Sequence, residues 1–230
     1  MKLVLFDIDG TLLLSGGAGR RAINRALDEV FGAAGSQEHP LDGKTDPQIV
    51  RELMRMAGHD DDYIDAHMNE LFERYVELLH EEFLGPNHGA YALPGVPALL
   101  DALEARSDVI LGLLTGNLAE GAKAKLEAVG IDPARFRIGA FGSDHEHRPE
   151  LPAIARARTN RELGIDVRGE SMLVIGDTPA DLTCGRSIGA SAIGVATGRY
   201  TVDELARHGP IAVFQDLSDT DAVTRAILGS

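Results

Sequence analysis

The chain has 230 residues, 44% of them apolar, which is enough for one large domain or two small ones around a sizeable core. Its formal charge of −14 disfavours nucleic acid and anionic membrane as partners, because a negative field repels phosphate and no basic patch offsets it. A single cysteine, Cys184, excludes an internal disulfide framework and a thiolate metal cluster and reads as a small core residue. No apolar run approaches the roughly 20 residues of a membrane span, and no basic leader precedes the first strand, so a soluble cytoplasmic protein is expected.

The first element is an apolar strand at residues 3–6 that runs into Asp7, Ile8, Asp9, Gly10 and Thr11. Two carboxylates closing a buried strand imply a bound cation, a shared proton or a shifted pKa. Two residues apart on extended chain, they point to the same side. Gly10 lets the backbone turn closely past a bound group, and the Thr11 hydroxyl can support Asp7. Capping of a turn is the plainer alternative for the pair.

Residues 15–88 show helical periodicity alone, with Ala22, Ile23, Ala26 and Leu27 on one face, a helix start at Asp46 and Pro47, and Ile64, Met68, Leu71 and Tyr75 continuing the pattern. Gly16, Gly17 and Gly19 on entry and Gly85, Pro86 and Gly89 on exit read as two linkers. A phosphate cradle is the other reading of the first cluster, but it lacks the Walker lysine and the dinucleotide spacing, which favours a hinge.

Strands follow at 109–114, 138–141, 172–175, 192–195 and 211–214, separated by helical stretches. The alternation predicts an α/β fold: a Rossmann-like parallel sheet with helices on both faces, plus an inserted helical cap domain. Residues 1–14 and 89–230 form the expected core and 15–88 the cap. Ligands should bind in the crevice at the carboxyl ends of the strands.

Two further strand ends carry chemistry. After 109–114 come Thr115, Gly116 and Asn117, a hydroxyl with exposed N–H groups that suits phosphate, although a Thr N-cap needs no functional explanation. After 172–175 come Gly176, Asp177 and, four residues later, Asp181, at the spacing that returns to one face of a starting helix. With Asp7 and Asp9 these make an all-oxygen cluster that favours Mg²⁺ over zinc. His145 and His147 read as exposed loop residues. Lys123 and Lys125 lie on the helical stretch 118–129, whose polar face is expected in solvent.

Taken together, DIDGTL at 7–12, LLTGN at 113–117 and GDTPADL at 176–182 resemble the haloacid dehalogenase superfamily of phosphohydrolases, in the branch that looks like phosphoglycolate phosphatase. PGV at 94–96, KLEAVGI at 125–131 and VATGRY at 195–200 add to the likeness. The resemblance implies a Mg²⁺-dependent phosphatase that hydrolyses a small phosphorylated metabolite through an aspartyl phosphate. Asp7 would be the nucleophile, Asp9 the acid and then base, and Thr115 a phosphate grip. Gly10, Thr11, Gly116 and Asn117 would help bind substrate, while Asp7, Asp177 and the carbonyl of Asp9 would hold the metal, with Asp181 of the carboxylate cluster as a further metal residue.

One station departs from the family pattern. A lysine is usual after the strand at 138–141, whereas this chain has Ser143 to Pro149 without one, and Arg148 is the expected substitute. In the insert, the loop 42–46 presents Lys44, the insert's single lysine, as a partner for an anionic substrate group; Arg20 and Arg21 are weaker candidates. A phosphosugar mutase would use the same Asp7 and Asp9, and a phospho-accepting or non-catalytic binding module is the alternative from another class. The expected assembly is a monomer or homodimer.

Overall fold

The computed structural model describes every residue except Gln37, Pro86 and Ser230, so Pro86 of the expected exit linker lies outside the described residues. In chain order the elements are β1 Lys2–Phe6, β2 Leu13–Leu14, α1 Ala18–Phe31, α2 Asp46–Met56, α3 Asp61–Phe83, β3 Tyr91–Ala92, α4 Val96–Glu104, β4 Val109–Leu114 and α5 Ala119–Ala128. They continue with β5 Ile138–Ala140, α6 Leu151–Leu163, β6 Met172–Gly176, α7 Pro179–Cys184, β7 Ser191–Val195, α8 Val202–Ala206, β8 Ala212–Phe214 and α9 Thr220–Leu228.

Six strands form one sheet in the order β5-β4-β1-β6-β7-β8, every pair parallel. Alternation along the strands divides the core between two faces. Val4, Phe6, Leu111, Leu113, Leu173 and Ile175 pack on one side with α4 and α9, whereas Leu3, Leu5, Ile110, Leu114, Met172 and Val174 pack on the other with α6 and Cys184. Burial on both faces explains why these strands read as near-continuous apolar runs. The strands expected from sequence are all present, with ends shifted by a residue or so. Cys184 is buried, as expected.

The short antiparallel pair β2 and β3 was not legible in sequence. It joins the chain entering α1 to the chain leaving α3. Between these crossings, α1, α2 and α3 build a separate apolar cluster around Leu27, Val50, Leu53, Leu71 and Tyr75, which reaches the sheet layer through Leu118 and Ala124 at α5. Thr45 caps α2, its hydroxyl accepting from the Gln48 N–H, so the helix starts one residue after its cap, at Asp46.

Candidate active site

β1, β4 and β6 are neighbours, so parallel pairing brings their carboxyl ends together and with them Asp7, Thr115 and Asp177. The Asp7 N–H donates to the Ile175 carbonyl at 2.9 Å, extending the ladder one step beyond the strand. Gly10 turns the chain with φ of 80°, a left-handed conformation that a side chain strains. The Thr11 hydroxyl donates to Asp177 Oδ1 at 3.2 Å rather than to Asp7.

Asp7, Asp177 and Asp181 each offer a carboxylate oxygen within 4.8 Å of the others, and all three are buried. Arg148 supplies the local positive charge: its Nη2 lies 3.0 Å from Asp7 Oδ1, and the same nitrogen donates to Asp181 Oδ1. Three carboxylates against one guanidinium leave an excess of negative charge out of water. Burial pushes Asp7 up to about 7, with Arg148 pulling the other way, and burial with the charge of Asp181 pushes Asp177 up to about 9. An oxygen-only donor set with uncompensated charge fits a hard divalent cation such as Mg²⁺.

Asp181 is already heavily engaged. Its Oδ2 accepts from both the N–H and the hydroxyl of Thr178 in a capping box at the start of α7, and its Oδ1 takes Arg148. It therefore orients Arg148 and competes poorly for a place beside a metal, where Asp7 and Asp177 are better placed. The Arg148 Nε, also buried, has no hydrogen-bond partner among the described residues, a donor that an anion's oxygen would satisfy.

The two aspartates of the first motif part company. Asp9 turns to other partners, accepting on Oδ2 from Asn117 Nδ2 at 2.8 Å and from Lys125 Nζ at 2.7 Å. Lys125 is 5% exposed, and the expectation of a solvated lysine is corrected. The missed signal lies in the helix: Leu118, Ala122, Lys125 and Leu126 occupy positions i, i+4, i+7 and i+8 of the inward stripe, so the lysine stands where an apolar residue belongs. Thr115 Oγ1 accepts from Asn117 Nδ2 at 2.7 Å and from its backbone N–H at 3.4 Å, which leaves the hydroxyl proton to donate elsewhere.

The helical insert closes over these residues. The Asp46 N–H donates to the Gly116 carbonyl at 2.7 Å, the Leu118 N–H donates to Asp46 Oδ2 at 2.9 Å, and Arg51 grips Glu146 at 2.9 Å. A Cβ on Gly116 would stand 2.0 Å from the Lys44 carbonyl, so this approach requires glycine. Burial between the layers pushes the Asp46 carboxyl up to about 6, against the pull of Lys125. A cavity of about 250 Å³ remains, lined by Asp7, Asp9, Thr115 and Lys125 below and by Arg20 and Lys44 above. Lys44 reaches it while bound to Glu52 at 2.5 Å and to His39. Arg20 donates to the His39 carbonyl at 3.1 Å, and Arg21 is paired with Glu82. His145 and His147 are exposed, as expected.

The family pattern described as a haloacid dehalogenase-like hydrolase matches residues 1–189 of the chain. A phosphoglycolate phosphatase of Rhodospirillum rubrum is 30% identical over 228 residues, covering 94% of this chain and 88% of that protein. Among solved structures, a hydrolase from Pseudomonas syringae superposes with a TM-score of 0.72 at 24% identity, covering 99% of each chain. A point mutant of CbbY from Rhodobacter sphaeroides, solved with xylulose-(1,5)bisphosphate, superposes with a TM-score of 0.73 at 20% identity over 95% of this chain and 96% of that one.

Proposed function

Because the chain belongs to the haloacid dehalogenase-like hydrolases and is a phosphoric monoester hydrolase like its phosphatase relatives, we propose that it cleaves a small phosphorylated metabolite through a phosphoryl group carried on Asp7. Phosphoglycolate is the first substrate to test, since a relative sharing most of the chain's length bears that name. The observation that carries the reading is Asp7 itself: a buried carboxylate at a strand end, 3.0 Å from a buried guanidinium, among the carboxylates of Asp177 and Asp181, and opening on the cavity.

In the first half-reaction an Asp7 oxygen attacks phosphorus while Thr115 donates its hydroxyl proton to a phosphate oxygen and Arg148 offsets the charge of nucleophile and phosphoryl group. Asp9 gives a proton to the departing oxygen. In the second half Asp9 takes a proton from water, which attacks the phosphoryl group and frees Asp7. Asp7, Asp177 and the Asp9 carbonyl would hold Mg²⁺, which when bound supplies charge neutralisation for nucleophile and phosphate.

Residues 15–88 would act as the cap that excludes water and selects the leaving group, with residues 1–14 and 89–230 as the core. Lys44 would meet an anionic substrate group with the donor that Glu52 and His39 leave, its charge shared with Glu52. Among the described residues no helix is long and apolar enough to cross a membrane. A cytoplasmic setting, and a monomer or homodimer, complete the proposal.

The test is phosphate release from phosphoglycolate, neutral sugar phosphates and a generic aryl phosphate, with Mg²⁺ and with chelator. Chelator-sensitive release is the expected result. Isomerised sugar phosphate without release would point to a mutase, and stable phosphorylation without turnover to a phospho-accepting module.

A further inference from the structure

We propose that Lys125 is a positioning residue of this reaction: its ammonium fixes the orientation of Asp9 and, through the Asn117 amide, that of Thr115. The inference rests on the acid–base role given to Asp9 above. Lys125 comes from α5 of the sheet layer, two turns past the Thr115–Asn117 loop, and its side chain is 6% exposed. Gly19 gives it room, a Cβ there lying 3.3 Å from Nζ. A lysine in such a place cannot remain hydrated, and its two bonds go to Asp9 Oδ2 at 2.7 Å and Asn117 Oδ1 at 2.6 Å.

The ammonium has donors only, so it dictates which end of the Asn117 amide faces it. With Oδ1 held by Lys125, Nδ2 must face Asp9 Oδ2 and Thr115 Oγ1, where it makes bonds of 2.8 and 2.7 Å. Turned over, the amide would set its oxygen against the Asp9 carboxylate and its NH₂ against the ammonium, a repulsive contact at both ends. Both bonds to Asp9 fall on Oδ2, so Oδ1 is the oxygen left to exchange a proton with leaving group or water. Both bonds to Thr115 Oγ1 use its lone pairs, so its proton is left for phosphate. One cation thereby sets the acid and the phosphate grip.

Stability alone does not account for the arrangement. Buried ion pairs add little net stability compared with apolar residues of similar size, and the Asp9 side chain is 40% exposed. What the pair confines is the direction of a carboxylate that opens on the cavity.

The experiment compares kcat/KM, which reports the phosphoryl-transfer half, on two esters: an alkyl phosphate whose leaving alkoxide needs a proton and dinitrophenyl phosphate whose leaving group does not. Lys125→Met should lose about 100-fold or more on the alkyl ester, in the range set by general acid catalysis, and less than about 10-fold on the aryl ester. Asp9→Asn, measured alongside, should show the same split, and adding Lys125→Met to it should cost the alkyl ester less than about 10-fold more. Lys125→Gln, neutral and of similar reach, repeats the comparison should the methionine variant misfold.

Equal losses on both esters, no loss, or failure of both lysine variants to fold would assign Lys125 to structure and overturn the proposal. A flat response of Asp9→Asn would instead sink the acid–base reading itself, and this inference with it.

Discussion

Replacing Asp177 by asparagine should stabilise the metal-free protein at alkaline pH while abolishing its response to Mg²⁺. The Asp7 and Asp177 oxygens lie within 4.8 Å of each other. At an effective dielectric of about 20, two unit charges at that separation repel by about 3 kcal/mol. Asparagine removes the charge, and its own Oδ1 can keep the bond from the Thr11 hydroxyl. For a chain of this size 1 kcal/mol corresponds to roughly 2–4 °C in Tm, so the expected gain is roughly 6–12 °C.

The gain has a definite pH window. Asp7 and Asp177 have folded-state pKa values raised to about 7 and about 9. Stability from such groups is fully present below the ordinary carboxylate range near 4 and is lost as pH rises through the raised values. Thermal unfolding followed by circular dichroism in chelator should show wild type and Asp177→Asn close together at pH 4 and fully separated at pH 10, above both raised values, with the variant higher. An ion held by the folded state alone raises Tm, so Mg²⁺ should raise the wild-type value at pH 8.5 and leave the variant unmoved. A variant less stable than wild type in chelator at pH 10, or one that keeps the Mg²⁺ shift, would refute the charge argument.

Three other substitutions test neighbouring parts of the site. Gly198→Ala places a Cβ 1.8 Å from Asp177 Oδ2; the carboxylate must move, and Mg²⁺ affinity measured by calorimetry should fall about 10–100-fold, as for lost ligand support. Arg148→Ala strips the single guanidinium from between Asp7 and Asp181 and should cost roughly 3–5 kcal/mol in urea unfolding at pH 8, whereas Arg148→Lys should retain part of both stability and turnover. Asp46→Asn abolishes a buried charge whose raised pKa, about 6, makes wild type lose about 2 kcal/mol between pH 4 and pH 7; denaturant unfolding of the variant should show a visibly smaller loss over that interval.

The sheet was legible because its strands are buried on both sides and write themselves as apolar runs. The helices of the insert were legible because Asp46 and Pro47 carry a start signal and the apolar stripes follow. β2 and β3, two residues each, are too short to show a period. Asp7, Thr115 and Asp177 could be placed at the carboxyl edge of a parallel sheet from the alternation of elements, whereas the order that makes their strands neighbours comes from the structure. Contacts that cross from one layer to another leave no local trace: Asp46 accepting from the Leu118 N–H, and Arg51 of the insert gripping Glu146. Lys125 did leave one, since a lysine on an inward stripe either breaks the helix face or has a buried anion waiting for it.

That lysine also alters how the first motif must be understood. Spacing of two suggested that Asp7 and Asp9 answer to one cation, but the structure gives each its own: Arg148 for Asp7, shared with Asp181, and Lys125 for Asp9, its charge also acting on Asp46. The two carboxylates, to which the proposed reaction gives different protonation states, are thus supported by separate charges on separate helical stretches. Asp177 is the carboxylate left over, bonded to the Thr11 hydroxyl and paired with no cationic side chain among the described residues. An acid buried against two others without a cation of its own is where a divalent ion lowers the energy most, and phosphate, arriving with further negative charge, makes that need greater.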